Sequence, residues 1–182
     1  MELFENIRLK IGAAILLNKA AKSRRRMVLK NFNLVKNIGI VWNSFNNEEF
    51  KTLAKFHQQM SERNINLQII GYYDKKNLPD SYTAIRYFSC IRKPEVNMFY
   101  IPTSIETQTF IKKDFDVLID INFDKIFTLS YITVLSNALF KVGLSDSGNS
   151  SSPFDLMMEI KKPVSIDNYL KQIVQYLEMM NS

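Results

Sequence analysis

A single cysteine and a single histidine stand among the 182 residues of this chain. One thiol closes no disulfide within the chain and builds no thiolate zinc site, and one imidazole cannot make a two-histidine metal site. Five glycines are too few for most phosphate-cradling loops, and neither a G-x-G-x-x-G turn nor a P-loop occurs. After the first strand-like run the chain reads Asn43-Ser44-Phe45-Asn46-Asn47-Glu48-Glu49. Glycine is missing there, and the two glutamates would repel a phosphate from the helix N-terminus they open. Long apolar runs are also missing. The longest in the N-terminal stretch, 11–17, lies between Lys10 and Lys19, whereas a membrane span needs about twenty residues. Its basic cluster follows the apolar run instead of preceding it, which is not the layout of a secretory signal. These absences lead us to expect a cytoplasmic protein with no metal and no cofactor.

What is present is an ordinary globular balance, 46% apolar and 23% charged. A chain of this length buries roughly 70% of its unfolded surface and needs no covalent staple. The net charge of +6 is unevenly placed. Residues 1–36 hold nine basic side chains against two acids, a net +7, and the remainder holds fifteen against sixteen, a net −1. Such asymmetry predicts that the N-terminal segment meets something anionic.

Within residues 2–17 a helical wheel puts Leu3, Phe4, Ile7, Ile11, Ala14 and Ile15 on one face, the spacing of an amphipathic helix. Leu9 and Leu16 fall outside it. Residues 1–36 are read as a basic helical arm and connector, and 37–182 as one α/β domain. Strand-like runs at 37–42, 67–72, 116–120 and 139–143 alternate with helical periodicity at 47–60, 104–113, 127–138 and 165–180. Further strand character falls at 84–89, 98–101 and 154–160, and the polar stretch 145–152 reads as an unstructured loop. This rhythm predicts βαβ units: a three-layer Rossmann-like or flavodoxin-like sandwich with a mostly parallel sheet of five to six strands.

Candidate site residues fall in two groups. Lys19, Lys22, Arg24, Arg25, Arg26 and Lys30 form the basic cluster, suited to phosphate-rich surfaces through fork geometry and charge. Asn43, Ser44, Asp120 and Asn122 lie at the carboxyl ends of two strands, where open α/β sheets bind ligands, although the same residues also serve ordinary turns. Asp124 is near enough in sequence to Asp120 for a carboxylate pair. His57 falls on or beside an apolar helix face with no triad pattern around it and reads as a packed structural histidine. Cys90, near Arg92 and Lys93, reads as a thiol at a strand end. No residue is expected to be catalytic.

Several segments together resemble an uncharacterised family of short bacterial α/β proteins of unknown function. They are Ile38-Gly39-Ile40, Gly71-Tyr72, Phe115-Asp116-Val117-Leu118-Ile119-Asp120, Leu135-Ser136-Asn137-Ala138-Leu139-Phe140-Lys141-Val142-Gly143 and Phe154-Asp155-Leu156-Met157-Met158. A fainter likeness is to the N-terminal half of heptosyltransferase-like glycosyltransferases, carried by the 115–120 strand and the helix leading to Val142-Gly143. Where that family has a glycine-aspartate loop this chain has Trp42-Asn43-Ser44-Phe45, and its sugar-nucleotide half is missing. That likeness therefore implies a half-domain without a donor site.

The leading expectation is a non-enzymatic α/β module whose basic helix docks it to RNA, the ribosome or a larger protein assembly. The alternatives are peripheral attachment to an anionic inner-membrane surface through the same helix, and a small ligand-binding or glycosyltransferase-like half-domain.

Overall fold

The structure, a computed structural model, describes residues 2–43, 47–82, 85–145, 152–159 and 165–180. Helix α1 (Glu2–Lys22) precedes β1 (Asn37–Asn43), α2 (Asn47–Glu62), β2 (Asn66–Tyr73) and β3 (Phe88–Arg92). Then come α3 (Ile105–Lys112), β4 (Val117–Ile121), α4 (Phe127–Leu135), β5 (Phe140–Leu144), β6 (Leu156–Met158) and α5 (Ile166–Met179). Among the described residues the strands form one sheet in the order β3-β2-β1-β4-β5-β6, and every pair is parallel. This is the Rossmann order, not the flavodoxin one. The chain winds outward from β1 to β3, returns to the other side of β1, and winds outward again. Right-handed crossovers in opposite directions must lie on opposite faces, so α2 covers one side and α3 and α4 the other, and α5, after the last strand, packs on the side of α2.

The side-chain alternation of β1 and β4 follows from this. Ile38, Ile40 and Trp42 join Val117, Ile119 and Ile121 under α2 and α5, while Val41 and Leu118 point under α3 and α4. Every residue of β4 is buried, as a central parallel strand requires. Gly39 is fixed by a close approach: a Cβ there would stand 2.8 Å from Leu118 Cδ1.

Helix starts follow capping chemistry. Ser104 accepts from the Thr107 amide and Ser165 from the Asn168 amide, each satisfying an otherwise orphaned first-turn donor. Three expectations need correction. The strand expected at 84–89 begins later, at Phe88. Residues 98–101 form a turn, because the Asn97 side chain accepts from the Phe99 and Ile101 amides and Tyr100 takes a positive φ of 60°. Of the strand expected at 154–160, Leu156–Met158 is strand, the Phe154 ring packs over Gly143 where any Cβ would collide, and residue 160 lies outside the described residues. Most of the expected 145–152 loop, residues 146–151, lies outside the described residues.

Helix α1 packs across the outside of α4. Gly12 makes this approach, since a Cβ there would run into the Phe99 carbonyl oxygen and stand 3.0 Å from the Phe127 ring. Leu16 and Ile15 reach the core on that side. Of the face expected to be apolar, only Ile15 is among the residues packed on the core. Leu3, Phe4, Ile7 and Ile11 remain 71%, 74%, 46% and 40% exposed. Sandwiched between α1 and the sheet, α4 is apolar on nearly all sides, with Leu129, Tyr131 and Ile132 fully buried. The connector is equally attached: the Val28 amide donates to the Leu139 carbonyl, and Phe32 and Val35 enter the core.

Candidate anion-docking surface

The two groups of candidate residues lie at opposite ends of the sheet. The connector after α1 crosses the amino ends of the strands, where it meets residues just before β4, β5 and β6. Asn43, Asp120 and Asn122 lie at the carboxyl ends of β1 and β4. They cannot form one site.

At the amino end, three of the six predicted cations are engaged by the body. Lys19 Nζ donates to the Tyr131 hydroxyl at 2.7 Å. The Arg25 guanidinium donates through both terminal nitrogens to the Asp155 carboxylate, each at 2.7 Å, and also to the Ala138 and Leu139 carbonyls. Lys30 Nζ pairs with Asp116 at 2.5 Å. Asp116 also accepts from the Lys36 and Asn37 amides. Burial pushes its carboxyl up, but these three donors outweigh it and hold the group below the usual carboxylate range. Arg25 and Lys30 thus clamp the N-terminal segment to the strand ends.

Lys22, Arg24 and Arg26 are exposed and carry no ion pair or hydrogen bond among the described residues. Three further lysines stand at this end of the sheet: Lys36 before β1, Lys112 at the end of α3 and Lys113 after it. Lys36 and Lys112 are exposed, whereas Lys113 lies over the Phe115 ring and burial pushes its ammonium down. Asp114 is an exposed carboxylate of the same turn. Sequence reasoning missed these lysines because they are far from the arginines along the chain. The parallel topology brings all strand starts to one side.

At the carboxyl end the polar groups mostly satisfy one another. Asn122 closes the turn into α4: its Oδ1 accepts from the Ile126 amide, and its Nδ2 donates to the Ile126 carbonyl and the Ser130 hydroxyl. Asp120 points beneath α4, where it accepts from the Thr133 hydroxyl and the Asn122 amide. Burial raises its carboxyl to about 6 against these two donors. Asp124 stays exposed and accepts from Asn43 Nδ2 at 2.6 Å, so no Asp120–Asp124 pair forms. Asn43 Oδ1 is buried without a partner among the described residues, and Ser44 lies outside them. Glu49 accepts from the Trp42 indole at 3.0 Å.

His57 stacks on Tyr87 with ring centroids 3.7 Å apart, and burial pushes its imidazole down. The Cys90 thiol is half-buried. Lys141, missed from sequence, is 2% exposed in β5, with Nζ donating to the Val134 carbonyl at 2.9 Å. Among the described residues no group of three or more His, Cys, Asp or Glu could hold a metal ion. A groove of about 370 Å³ between α2 and α5 contains none of the predicted residues, and the Arg63–Glu178 ion pair stands on its wall.

Residues 10–180 match the family of unknown function DUF6913. The chain belongs to that family. The match includes most of α1 and the whole connector, so the basic segment is part of the family's own extent. No curated protein and no solved structure matches the chain. No helix among the described residues is long and apolar enough to cross a membrane.

Proposed function

We propose that this protein is a cytoplasmic, non-enzymatic docking module that engages an anionic partner through the basic amino end of its sheet. The observation that carries the reading is the split among the six cations. Arg25 and Lys30 fasten the N-terminal segment to Asp155 and Asp116, while Lys22, Arg24 and Arg26 stay exposed at the same end of the sheet as Lys36 and Lys112. A cluster held on a rigid scaffold loses less freedom on binding than a flexible arm would. Candidate groups for chemistry support the reading from the other side, since Asp120 and Asn122 are turned to internal hydrogen bonds. RNA, a protein assembly and a charged lipid surface all present the required charge.

The test is the triple reversal Lys22→Glu, Arg24→Glu, Arg26→Glu in the full chain. Binding to a mixed-sequence single-stranded RNA and to phosphatidylglycerol-containing vesicles should be measured at ionic strengths around 0.1 M, where the Debye length is about 10 Å. Binding to at least one probe should weaken with salt and fall about tenfold or more in the variant. Unchanged binding to both probes would overturn the proposal.

A further inference from the structure

Resting on that docking reading, we infer that the anionic partner is a lipid bilayer surface and that α1 lies along it through the face turned away from the body. Helix α1 is apolar on two sides. At about 100° per residue, Gly12 and Leu16 share the side that packs on α4, and Leu3, Phe4, Ile7 and Ile11 centre roughly two-fifths of a turn away. Those four remain exposed, between 40% and 74%. The same line along the helix continues through Ala14 and Asn18, both exposed, to Lys22, and Lys10 borders it. Glu5 is the single acid of residues 3–26, and it stands on the body side, where the Tyr100 hydroxyl donates to it.

An aliphatic stripe that ends in lysine and arginine is the pattern of an interfacial helix, whose apolar side enters the acyl boundary while its cations meet anionic headgroups. The helix is not long and apolar enough to cross, so it lies on the surface. RNA has no use for three aliphatic side chains, and Phe4 is the one aromatic in the stripe. With Lys19, Arg25 and Lys30 engaged by the body, a purely electrostatic RNA mode is also weaker than the sequence suggests.

The test is flotation of the full chain with two vesicle types, one of phosphatidylcholine alone and one with about a third phosphatidylglycerol, with single-stranded RNA as a separate probe. The wild type should float with the charged vesicles only. Phe4→Ser combined with Ile7→Ser should cut that partition by about tenfold or more and leave near-UV circular dichroism unchanged, because neither residue packs on the body. A Phe4→Trp variant should shift its emission to the blue on vesicle addition, against the constant background of the fully buried Trp42. The stripe variant floating like the wild type overturns the membrane assignment. So does a wild type that binds RNA or a protein but not charged vesicles; in either case the docking reading survives if charge reversal still abolishes binding. Charge reversal without effect on any probe defeats both.

Discussion

Lys141 is the second residue of β5, beneath α4 and 2% exposed, with the Val134 carbonyl as the acceptor for its ammonium group. Burial lowers it from 10.5 to about 7; Arg25 adds to the fall and Asp155 opposes it. Asp155 gives little relief because its carboxylate is already held by the Arg25 fork and the Lys141 backbone amide. The unfolded chain keeps this proton to pH 10.5 and the folded chain only to about 7. The unfolded state therefore binds more protons across that interval, so stability rises with pH through it and is flat below it. At about 1.36 kcal/mol per pH unit, the burden near neutrality is roughly 4 kcal/mol. Lys141→Met keeps the packing stem and removes the charge. It also loses the Val134 hydrogen bond, worth about 1 kcal/mol. Allowing for relaxation around a buried charge, the expected gain at pH 7 is about 1–3 kcal/mol, or roughly 2–10 °C in Tm for a chain of this size. Urea unfolding from pH 6 to 10 measures both effects. The variant's advantage should shrink as the pH approaches 10.5. A variant less stable than wild type at pH 7, or a wild-type midpoint that does not rise between pH 7 and 9, would refute the reasoning.

Asp120 gives a slope of the opposite sign. Its folded carboxyl is raised from 3.8 to about 6, so the folded state binds more protons in that window and stability falls as pH rises through it. Asp120→Asn should flatten the slope and add roughly 1–3 kcal/mol at pH 7, read as a convergence of the two urea midpoints at pH 4. Gly12→Ala tests the approach of α1 to α4. In a helix interior this change normally gains about 1 kcal/mol, but the new Cβ would strike the Phe99 carbonyl and crowd the Phe127 ring. A loss of about 1–3 kcal/mol with faster amide exchange in α1 is expected, and a stabilised variant would show that the helices are not in close contact.

Much of the fold could be read from local signals. Val117 to Ile121 declared a buried strand because both of its faces are apolar except at Asp120. Helical periodicity over 104–113 and 165–180 placed two helices, and the Ser104 and Ser165 side-chain oxygens cap their starts. The errors fell where a long-range partner replaced local preference. Residues 98–101 have strand-forming side chains, but the Asn97 amide side chain bends them into a turn on which α1 and α4 rest. The candidate site was legible as a charge imbalance and not as a geometry. Arg25 and its partner Asp155 are 130 positions apart, and Lys30 and Asp116 are 86 apart. No spacing rule reaches that far.

The sequence by itself determined the alternation of strands and helices, the lack of a phosphate-binding loop and the concentration of positive charge in the first thirty-six residues. These depend on residue type and short periodicity, which are local properties. Only the tertiary structure decided which side of α1 packs on α4, which cations stay exposed, and that Lys36 and Lys112 share an end of the sheet with Arg24 and Arg26. The physical reason is that a helix apolar on two sides offers two surfaces of similar burial value. The choice between them rests on what the rest of the chain presents, here the notch at Gly12 against Phe99 and Phe127.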